Sequence, residues 1–479
     1  MLKKLTDYKW EIPKGTKSGQ KVPGIIFTSE EMLSQIKDDN CLEQVINVAC
    51  LPGVEGYSLA MPDIHLGYGF PIGGVAATDI KAGGVISPGG VGYDINCGVT
   101  LLKSELYLEE IKDKIEGITK NLFFNVPSGV GSCGKIRLKG TELKKVLKKG
   151  AGWVVERGLA ELKDLEYMEE NGCLELADPD LISDRALKRG APQLGTLGSG
   201  NHFIEIQVVE KIFRPELADS LGLEAGMITI MIHSGSRGLG YQTCDDSIRK
   251  LKSSLHKYQF DLPDKQLVCA PFESRVGQEY FQAMNCAANY AWANRLSLVH
   301  LVRKTFEQSL SKSPGDLGLE LIYDIAHNIA KVEEYEIKGK LKKLCVHRKG
   351  ATRAFAKNSP GLPKRYQKIG QPVIVPGDMG TNSYLLIGTE KAKKETFSSV
   401  CHGAGRILSR HEALKKINLS SLRAELRHKG IAVYSQGKKT LVEEAPAAYK
   451  DVNQVVDVVE NAGIGIKVAR MRPLGVIKG

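Results

Sequence analysis

The stretch PGGVGYDINCGV (88–99) places a carboxylate and a thiol, Asp94 and Cys97, three residues apart among glycines. If residues 94–97 form a turn, both side chains converge on one point. Carboxylate, thiolate and neutral imidazole are ligands for divalent first-row metals. A bound cation would also lower a thiol pKa from its ordinary value of about 8.5. The competing reading is a buried structural cysteine beside a turn-forming aspartate. The close ligand spacing of a zinc finger is missing, so any further ligands must come from distant loops. Histidine offers them: six of the ten histidines sit beside small or polar residues. These are His65 in PDIHLGYG, His202 in GSGNHF, His233 in IHSGSRG, His327 in DIAHNI, His347 in VHRKGA and His402 in CHGAGR. A histidine that ends a buried strand before a Gly-rich turn is held with its ring toward a cleft, where binding and catalytic groups concentrate. A hydrogen-bonded loop imidazole explains any one of them equally well, and the weight lies in the recurrence. His256, His300, His411 and His428 lie in helix-like contexts, where a solvated or core histidine is the default.

A second group of motifs suits phosphate. SGSRG (234–238), PGDMGTNS (376–383) and HGAGR (402–406) present Gly-rich backbone with Ser, Thr, Asn and Arg. Successive backbone N–H groups form anion-binding concavities, and arginines add bidentate contacts. Neither GxxxxGK[ST] nor a strand-following GxGxxG is present, which argues against the ordinary nucleotide folds. The basic clusters HRKGATR (347–353) and RILSR (406–410) read as a polynucleotide-binding surface or as solvated faces.

Elements of both kinds must position these groups. MITIMI (227–232) is a buried-type strand running into His233, FIEIQVVE (203–210) starts directly after His202, and QPVIVPG (371–377) runs into DMGTNS. In DVNQVVDVVENAG, Val452, Val455, Val456 and Val459 share a helical face, and Gly463 offers the stop. SSLRAELRHKG ends likewise at Gly430, and 278–310 reads as one or two long helices. With no repeat, linker or compositional break, these mixed elements predict an α+β (mixed α/β) fold and one large domain over 1–479. Apolar content of 42% and charged content of 25% suit a globular chain. No run of 18 apolar residues appears, and the basic start lacks an apolar core behind it, so neither a membrane span nor a secretory signal is expected. Ten cysteines without a CxxC pair predict reduced thiols in the cytoplasm. The net charge of +11 favours a polyanionic partner such as nucleic acid, or is simply solubility charge.

Taken in order, MPDIHLGYGFPIGGVAA, GGVGYDINCGV, LGTLGSGNHFIEI, IHSGSRGLG, IAHN, VHRKGATRA, PGDMGTNSY, HGAGR and ARMRPLGVIKG resemble the RtcB family of RNA-splicing ligases, from about residue 60 to the last. The resemblance implies joining of an RNA 3′-phosphate or 2′,3′-cyclic phosphate to a 5′-hydroxyl, using GTP and two Mn2+ ions per site, as in tRNA splicing and RNA repair. It implies that His402 carries GMP before the guanylate passes to the RNA 3′ end. It makes Asp94, Cys97 and His202 the ligands of one ion, and Cys97, His233 and His327 those of the other. Guanylate-binding positions implied in the same way are Asn201, His202, Phe203, Ile204 and Glu205, then His327 and Asn328, then Pro376, Gly377, Asp378, Met379 and Ser383. His402, Gly403, Ala404, Gly405, Tyr449 and Lys478 complete that set, with Glu205 and Lys478 facing the base. Arg237, Arg406 and Arg410 are RNA-phosphate candidates on charge and location alone. Ligand softness by itself points to zinc rather than manganese; carboxylate and phosphate oxygens would supply the harder ligands. Cys401 either fills space beside His402 or makes it oxidation-sensitive. Lys478 would by default lie in a frayed tail, whereas the resemblance implies an ordered C-terminus in the guanine pocket. A monomer is expected, with an archease-type activator as a possible partner and no membrane. The rival readings are a two-metal phosphodiesterase or phosphatase without covalent nucleotide, and a non-enzymatic RNA-binding protein.

Overall fold

The apolar run at 227–232 is continuous rather than alternating because both of its faces are buried. A computed structural model describes residues 2–36 and 40–479. In it the strand Met227–Ser234 lies inside an eight-stranded sheet. Ile228, Ile230 and Ile232 enter the core on one side, while Met227 and Met231 enter a separate core on the other. Such two-sided burial is what removes the polar alternation from a strand. The sheet runs in the order Glu320–Ala326, Gly98–Tyr107, Met227–Ser234, Phe203–Ile212, Gly465–Lys478, Ser383–Gly388 and Pro372–Val375. Ala432–Ser435 adds in parallel to Gly465–Lys478.

One helix, Arg275–Leu310, accounts for the long helical stretch and covers one face of this sheet. Its N-cap Ser274 accepts from the backbone N–H of Gly277 at 3.1 Å, which satisfies one of the donors a helix start leaves open. The valine face is buried as expected in the helix Val452–Asn461, and Gly463 follows with φ +75°. Gly430, after Leu419–His428, has φ +71°. Both fit the left-handed stop that glycine makes cheaply.

A second, seven-stranded sheet runs Lys3–Thr6, Lys9–Ile12, Gly24–Phe27, Val54–His65, Ile72–Asp79, Lys340–Lys349 and Asn328–Ile337. Leu59, Val75 and Val346 from this sheet meet Val373 and Leu386 of the first, together with the valine helix, in one core. The fold is thus mixed helix and sheet, as the sequence predicts. Among the described residues no helix is long and apolar enough to cross a membrane.

Two readings of the sequence are corrected here. His347 lies within the strand Lys340–Lys349, not in a loop, and its Nε2 accepts the backbone N–H of Ser87 at 3.1 Å. It is a core histidine. The cluster around it is neither a solvated face nor an open RNA surface. Arg348 is fully buried, with its Nη1 at 2.6 Å from Glu333 Oε1, and Arg353 pairs with Glu169 and Glu170. Lys349 donates to the backbone oxygens of Tyr68 and Phe70 at 2.5 and 3.0 Å, and burial lowers its pKa to about 7.

Candidate active site

Strand register collects the scattered motifs. Gly98 lies opposite both Ser234 and Ala326, and Phe203 lies opposite both His233 and Lys478. The residues just outside or at these strand ends, Cys97, His202, His233 and His327, therefore meet at one end of the eight-stranded sheet. Residues 94–97 do form a turn, with the Cys97 N–H donating to Asp94 O at 3.0 Å. Asn96 takes φ +52° to make it, a conformation asparagine tolerates better than most residues. The glycines have specific tasks here. A Cβ on Gly98 would lie 2.0 Å from Ile325 O, and one on Gly235 would lie 2.4 Å from the Asp94 carboxylate.

Arg295, from the long helix, fixes the turn. Its Nη1 donates to Asn96 O at 2.7 Å and to Ser234 O at 3.1 Å, and its Nη2 donates to Asn96 Oδ1 at 3.0 Å. The same guanidinium forms a fork with Asp324, at 2.8 and 2.7 Å, and both side chains are fully buried. Sequence reasoning assigned no role to Arg295 or Asp324, because their partners lie on separate elements.

Cys97 Sγ lies 3.4 Å from His202 Nε2 and 3.3 Å from His233 Nε2. His202 Nε2 is 2.9 Å from Asp94 Oδ2, and His233 Nε2 is 3.2 Å from His327 Nε2. Two donor sets result, Asp94–Cys97–His202 and Cys97–His233–His327, each with ligand atoms within 4.8 Å of one another and sharing the sulfur. Burial holds His233 and His327 well below the ordinary imidazole pKa, so both keep a neutral ring with a lone pair to offer. Burial, reinforced by Asp94, holds the Cys97 thiol high. A cation would reverse this, since a coordinated thiol loses its proton. Among the described residues the Nδ1 atoms of His202, His233 and His327 have no hydrogen-bond partner, so no protein group holds a proton at Nδ1. A cation on the Nε2 side would do so. The donor set fits a divalent metal.

His402 stands next to this cluster, its ring centroid 5.1 Å from that of His327. It follows the short strand Ser399–Cys401, and Asp63 holds it from the other sheet. One oxygen, Asp63 Oδ2, accepts from His402 Nδ1 at 2.5 Å, from His402 N at 3.0 Å and from Gly403 N at 3.3 Å. Asp63 is fully buried. Burial alone would raise its pKa, but the adjoining His402 outweighs that and holds it below the usual carboxylate range. Sequence reasoning assigned Asp63 no role; its only signal was its place in MPDIHLGYG. His65 stacks on His402 at 6.5 Å, and burial lowers its pKa to about 3. Cys401 points into an apolar core and burial raises its thiol pKa, which fits space-filling.

A cavity of about 430 Å³ opens over His402. Asp94, Cys97, His233 and His327 reach it, as do Asn201, Phe203 and Asn328. The loops Pro376–Asp378 and His402–Gly405, with Tyr449 and Lys478, form other parts of the wall. His202, Ile204, Glu205, Met379 and Ser383 sit behind this lining. Ser383 Oγ accepts from Gly377 N at 3.1 Å and so braces that loop. Lys478 is ordered at the end of its strand, with its Nζ donating to Gly200 O at 3.2 Å and lying 5.7 Å from the Phe203 ring centroid. Burial lowers its pKa, while Glu444, Asp378 and Glu205 oppose that. Burial raises the Glu205 pKa to about 8, although Gln207 donates to it at 2.6 Å.

The three arginine candidates separate. Arg406 and Arg410 line the cavity and both pair with Glu444, at 3.1 and 3.4 Å. Arg237 does not reach the lining; its Nε donates to Thr196 Oγ1 at 3.1 Å beneath Gly198. Glu444, which also accepts from the Tyr449 hydroxyl, went unnoticed in the sequence.

A family model described as tRNA-splicing ligase RtcB matches residues 44–479. The chain belongs to the RtcB family. A tRNA-splicing ligase RtcB of Archaeoglobus fulgidus is 53% identical over 479 residues, covering 100% of this chain and 99% of the relative. One from Thermococcus kodakarensis is 52% identical over 478 residues, and one from Methanococcus maripaludis 50% over 476, each with 99% of its own length covered. The range matched by the RtcB model takes in Asp63, both donor sets and His402.

Proposed function

We propose that this RtcB-family chain is a cytoplasmic, monomeric RNA ligase whose 479 residues act as one catalytic unit. It joins RNA 3′-phosphate or 2′,3′-cyclic phosphate ends to 5′-hydroxyl ends at the expense of GTP. The observation that carries this reading is His402, held by a buried carboxylate and set beside the shared-sulfur donor cluster. A two-metal hydrolase can activate water without any covalent nucleotide, whereas nucleotide transfer through the protein uses a positioned nucleophile such as this imidazole.

Asp94, Cys97 and His202 would hold one Mn2+, and Cys97, His233 and His327 the other. When bound, the ions supply charge neutralisation for the triphosphate and orientation of its leaving group. Asp63 accepts a hydrogen bond from Nδ1–H of His402, which leaves the Nε2 lone pair free. Nε2 attacks the α-phosphorus of GTP, the bond to pyrophosphate breaks, and GMP remains on the ring as a phosphoramidate. An RNA 3′-phosphate oxygen then displaces the imidazole and takes the GMP. Finally the RNA 5′-hydroxyl attacks the activated 3′-phosphate, GMP leaves, and the strand is sealed. Cyclic ends are first hydrolysed, water adding to phosphorus and the 2′-oxygen leaving as a hydroxyl, to give the 3′-phosphate. Through most of these steps the chain's task is position and charge. Phe203 and Lys478 hold the guanine from the cavity wall with Glu205 behind them, while Ala404 and Gly405 offer backbone N–H groups to phosphate, those of His402 and Gly403 being taken up by Asp63. Arg406 and Arg410 face RNA phosphate at the cavity mouth. Tying both to Glu444 orients their guanidinium groups.

The test is transfer of label from α-phosphate-labelled GTP to protein with Mn2+, followed by ligation of a 3′-phosphate RNA to a 5′-hydroxyl RNA. Wild type should form an acid-labile, alkali-stable adduct and seal the RNA, and His402→Ala should do neither. Absence of adduct in the wild type, with phosphodiester hydrolysis intact, would replace this reading with that of a two-metal hydrolase.

A further inference from the structure

A second cavity, of about 650 Å³, shares no lining residue with the first. All seven residues 330–336 line it. They belong to the strand Asn328–Ile337, which ends the order of the seven-stranded sheet and has no strand on its outer side among the described residues. It pairs without register shift to Lys340–Lys349 from Asn328↔Lys349 to Ile337↔Lys340, around a two-residue turn. In such a hairpin, alternate residues turn both backbone groups toward the partner and the others turn them away. Ala330, Val332, Glu334 and Glu336 are the ones whose N–H and C=O face the cleft.

An open edge of this length is a template for another strand, and chains usually blunt it with proline, bulges or lysines. This edge carries neither proline nor bulge, and its lysine, Lys331, points inward and is paired with Glu169 and Glu170. Its surroundings add apolar contact and one sign of charge. Leu176, Val332 and Leu341 are large apolar side chains exposed by 62%, 41% and 71%, and all three line the cleft. The deeper charges are matched. Lys331 pairs with Glu169 and Glu170, Arg353 with the same two carboxylates, and Glu333 with Arg348. The exposed ones are not, because Glu175, Glu334 and Glu336 face outward against Lys393 alone among the lining residues. Beyond the lining, Glu334 pairs at 3.8 Å with Lys343, but both side chains are exposed and such a pair contributes little. Three lining residues, Asn285, Arg353 and Ser398, each keep a buried polar atom without a hydrogen-bond partner among the described residues.

We propose that the edge 330–336 is a docking strand for a partner protein, which adds an extended segment of alternating apolar and basic residues to the sheet. The exposed carboxylates attract lysine or arginine on that segment and repel RNA, although the chain as a whole carries +11. They also disfavour a second copy of this chain, since two such edges would bring Glu334 and Glu336 against the same residues, and like charges across a strand pair are destabilising. Main-chain hydrogen bonds supply affinity in this mode, and side-chain contacts supply selectivity. Because the strand starts one residue after His327, a partner bound there sits on the element that positions the donor cluster.

The probe is a fluorescein-tagged peptide of alternating lysine and valine, titrated against the full chain at low salt and followed by amide hydrogen exchange. Saturable binding is expected, with slowed exchange at Val332, Glu334 and Glu336. Glu334→Lys combined with Glu336→Lys should weaken it at least about tenfold. Val332→Pro removes an outward donor without touching the hairpin ladder, and should abolish it while thermal melting stays two-state and near the wild-type temperature. The proposal is overturned by absence of binding at roughly 1 mM peptide, or by binding that leaves those amides unprotected. Equal binding at this edge of a control peptide with glutamate in place of lysine, or of oligouridylate, overturns it as well. So does protection arising from self-association of the chain.

Discussion

Replacing Asp63 with asparagine separates two things the carboxylate does for His402, fixing its tautomer and stabilising the positive charge that grows on the ring during attack. Oδ2 receives three donors, His402 Nδ1, His402 N and Gly403 N, whereas Oδ1 has no partner among the described residues. The two backbone N–H groups cannot accept, so they select the oxygen of the substituted side chain and turn its amide nitrogen to the empty side. The imidazole then still donates from Nδ1, and Nε2 stays free. What is lost is charge. A charge-assisted hydrogen bond contributes about 1.5–3 kcal/mol against about 1 for a neutral one, so the deficit is about 0.5–2 kcal/mol, or roughly 2- to 30-fold in rate. Asp63→Ala removes the acceptor altogether and orphans two buried N–H groups, which should cost at least roughly 100-fold. The assay is single-turnover transfer of label from α-phosphate-labelled GTP with saturating Mn2+. Because Asp63 is held below the usual carboxylate range, it is ionised throughout neutral pH, and the ratio of Asp63→Asn to wild type should not change between about pH 6 and 9. A wild-type rate in Asp63→Asn would refute the electrostatic role. A loss as large as about 10,000-fold would refute the tautomer argument, since that is the scale of an inverted imidazole.

Arg295→Met leaves Asp324 buried without its fork and frees the 94–97 turn; denaturant unfolding should show a loss of about 3–5 kcal/mol, and a loss under about 1 kcal/mol would mean the pair is dispensable. Glu205, with its pKa raised by burial to about 8, is largely protonated at neutral pH and gains its charge as pH rises through that value. If it binds guanine as a carboxylate, GMP affinity measured by calorimetry should increase from about pH 7 to 9, and Glu205→Gln should flatten the profile. Deleting residues 477–479 removes the buried Lys478 ammonium beside Glu205, Glu444 and Asp378, so protein guanylation should disappear; full labelling of the truncated chain would remove Lys478 from the site.

Local sequence carried the elements well because their causes are local. MITIMI is apolar since both faces of its strand are covered, and the valines at 452, 455, 456 and 459 repeat at the helical period. The same holds for the individual chemistry-bearing groups, since a strand end followed by glycine and histidine is visible within a few residues. Pairing was not visible, because register joins segments that sequence keeps apart. Asp63 reaches His402 across 339 positions and Cys97 reaches His233 across 136. No spacing rule spans such gaps, so the ligand sets came from resemblance rather than from composition.

The HRKGATR cluster shows the opposite error. Its charges look solvated or RNA-facing until Glu333, Glu169 and Glu170 arrive from elsewhere to bury them. A buried ion pair demands that both partners arrive together, since a lone charge at Arg348 or Arg353 would cost several kcal/mol or more. The same requirement governs Arg295 and Asp324 beneath the donor cluster. The turn that carries Asp94 and Cys97 therefore cannot hold its geometry until the long helix has docked on the sheet, which makes the active site a late consequence of the core rather than a feature of any motif.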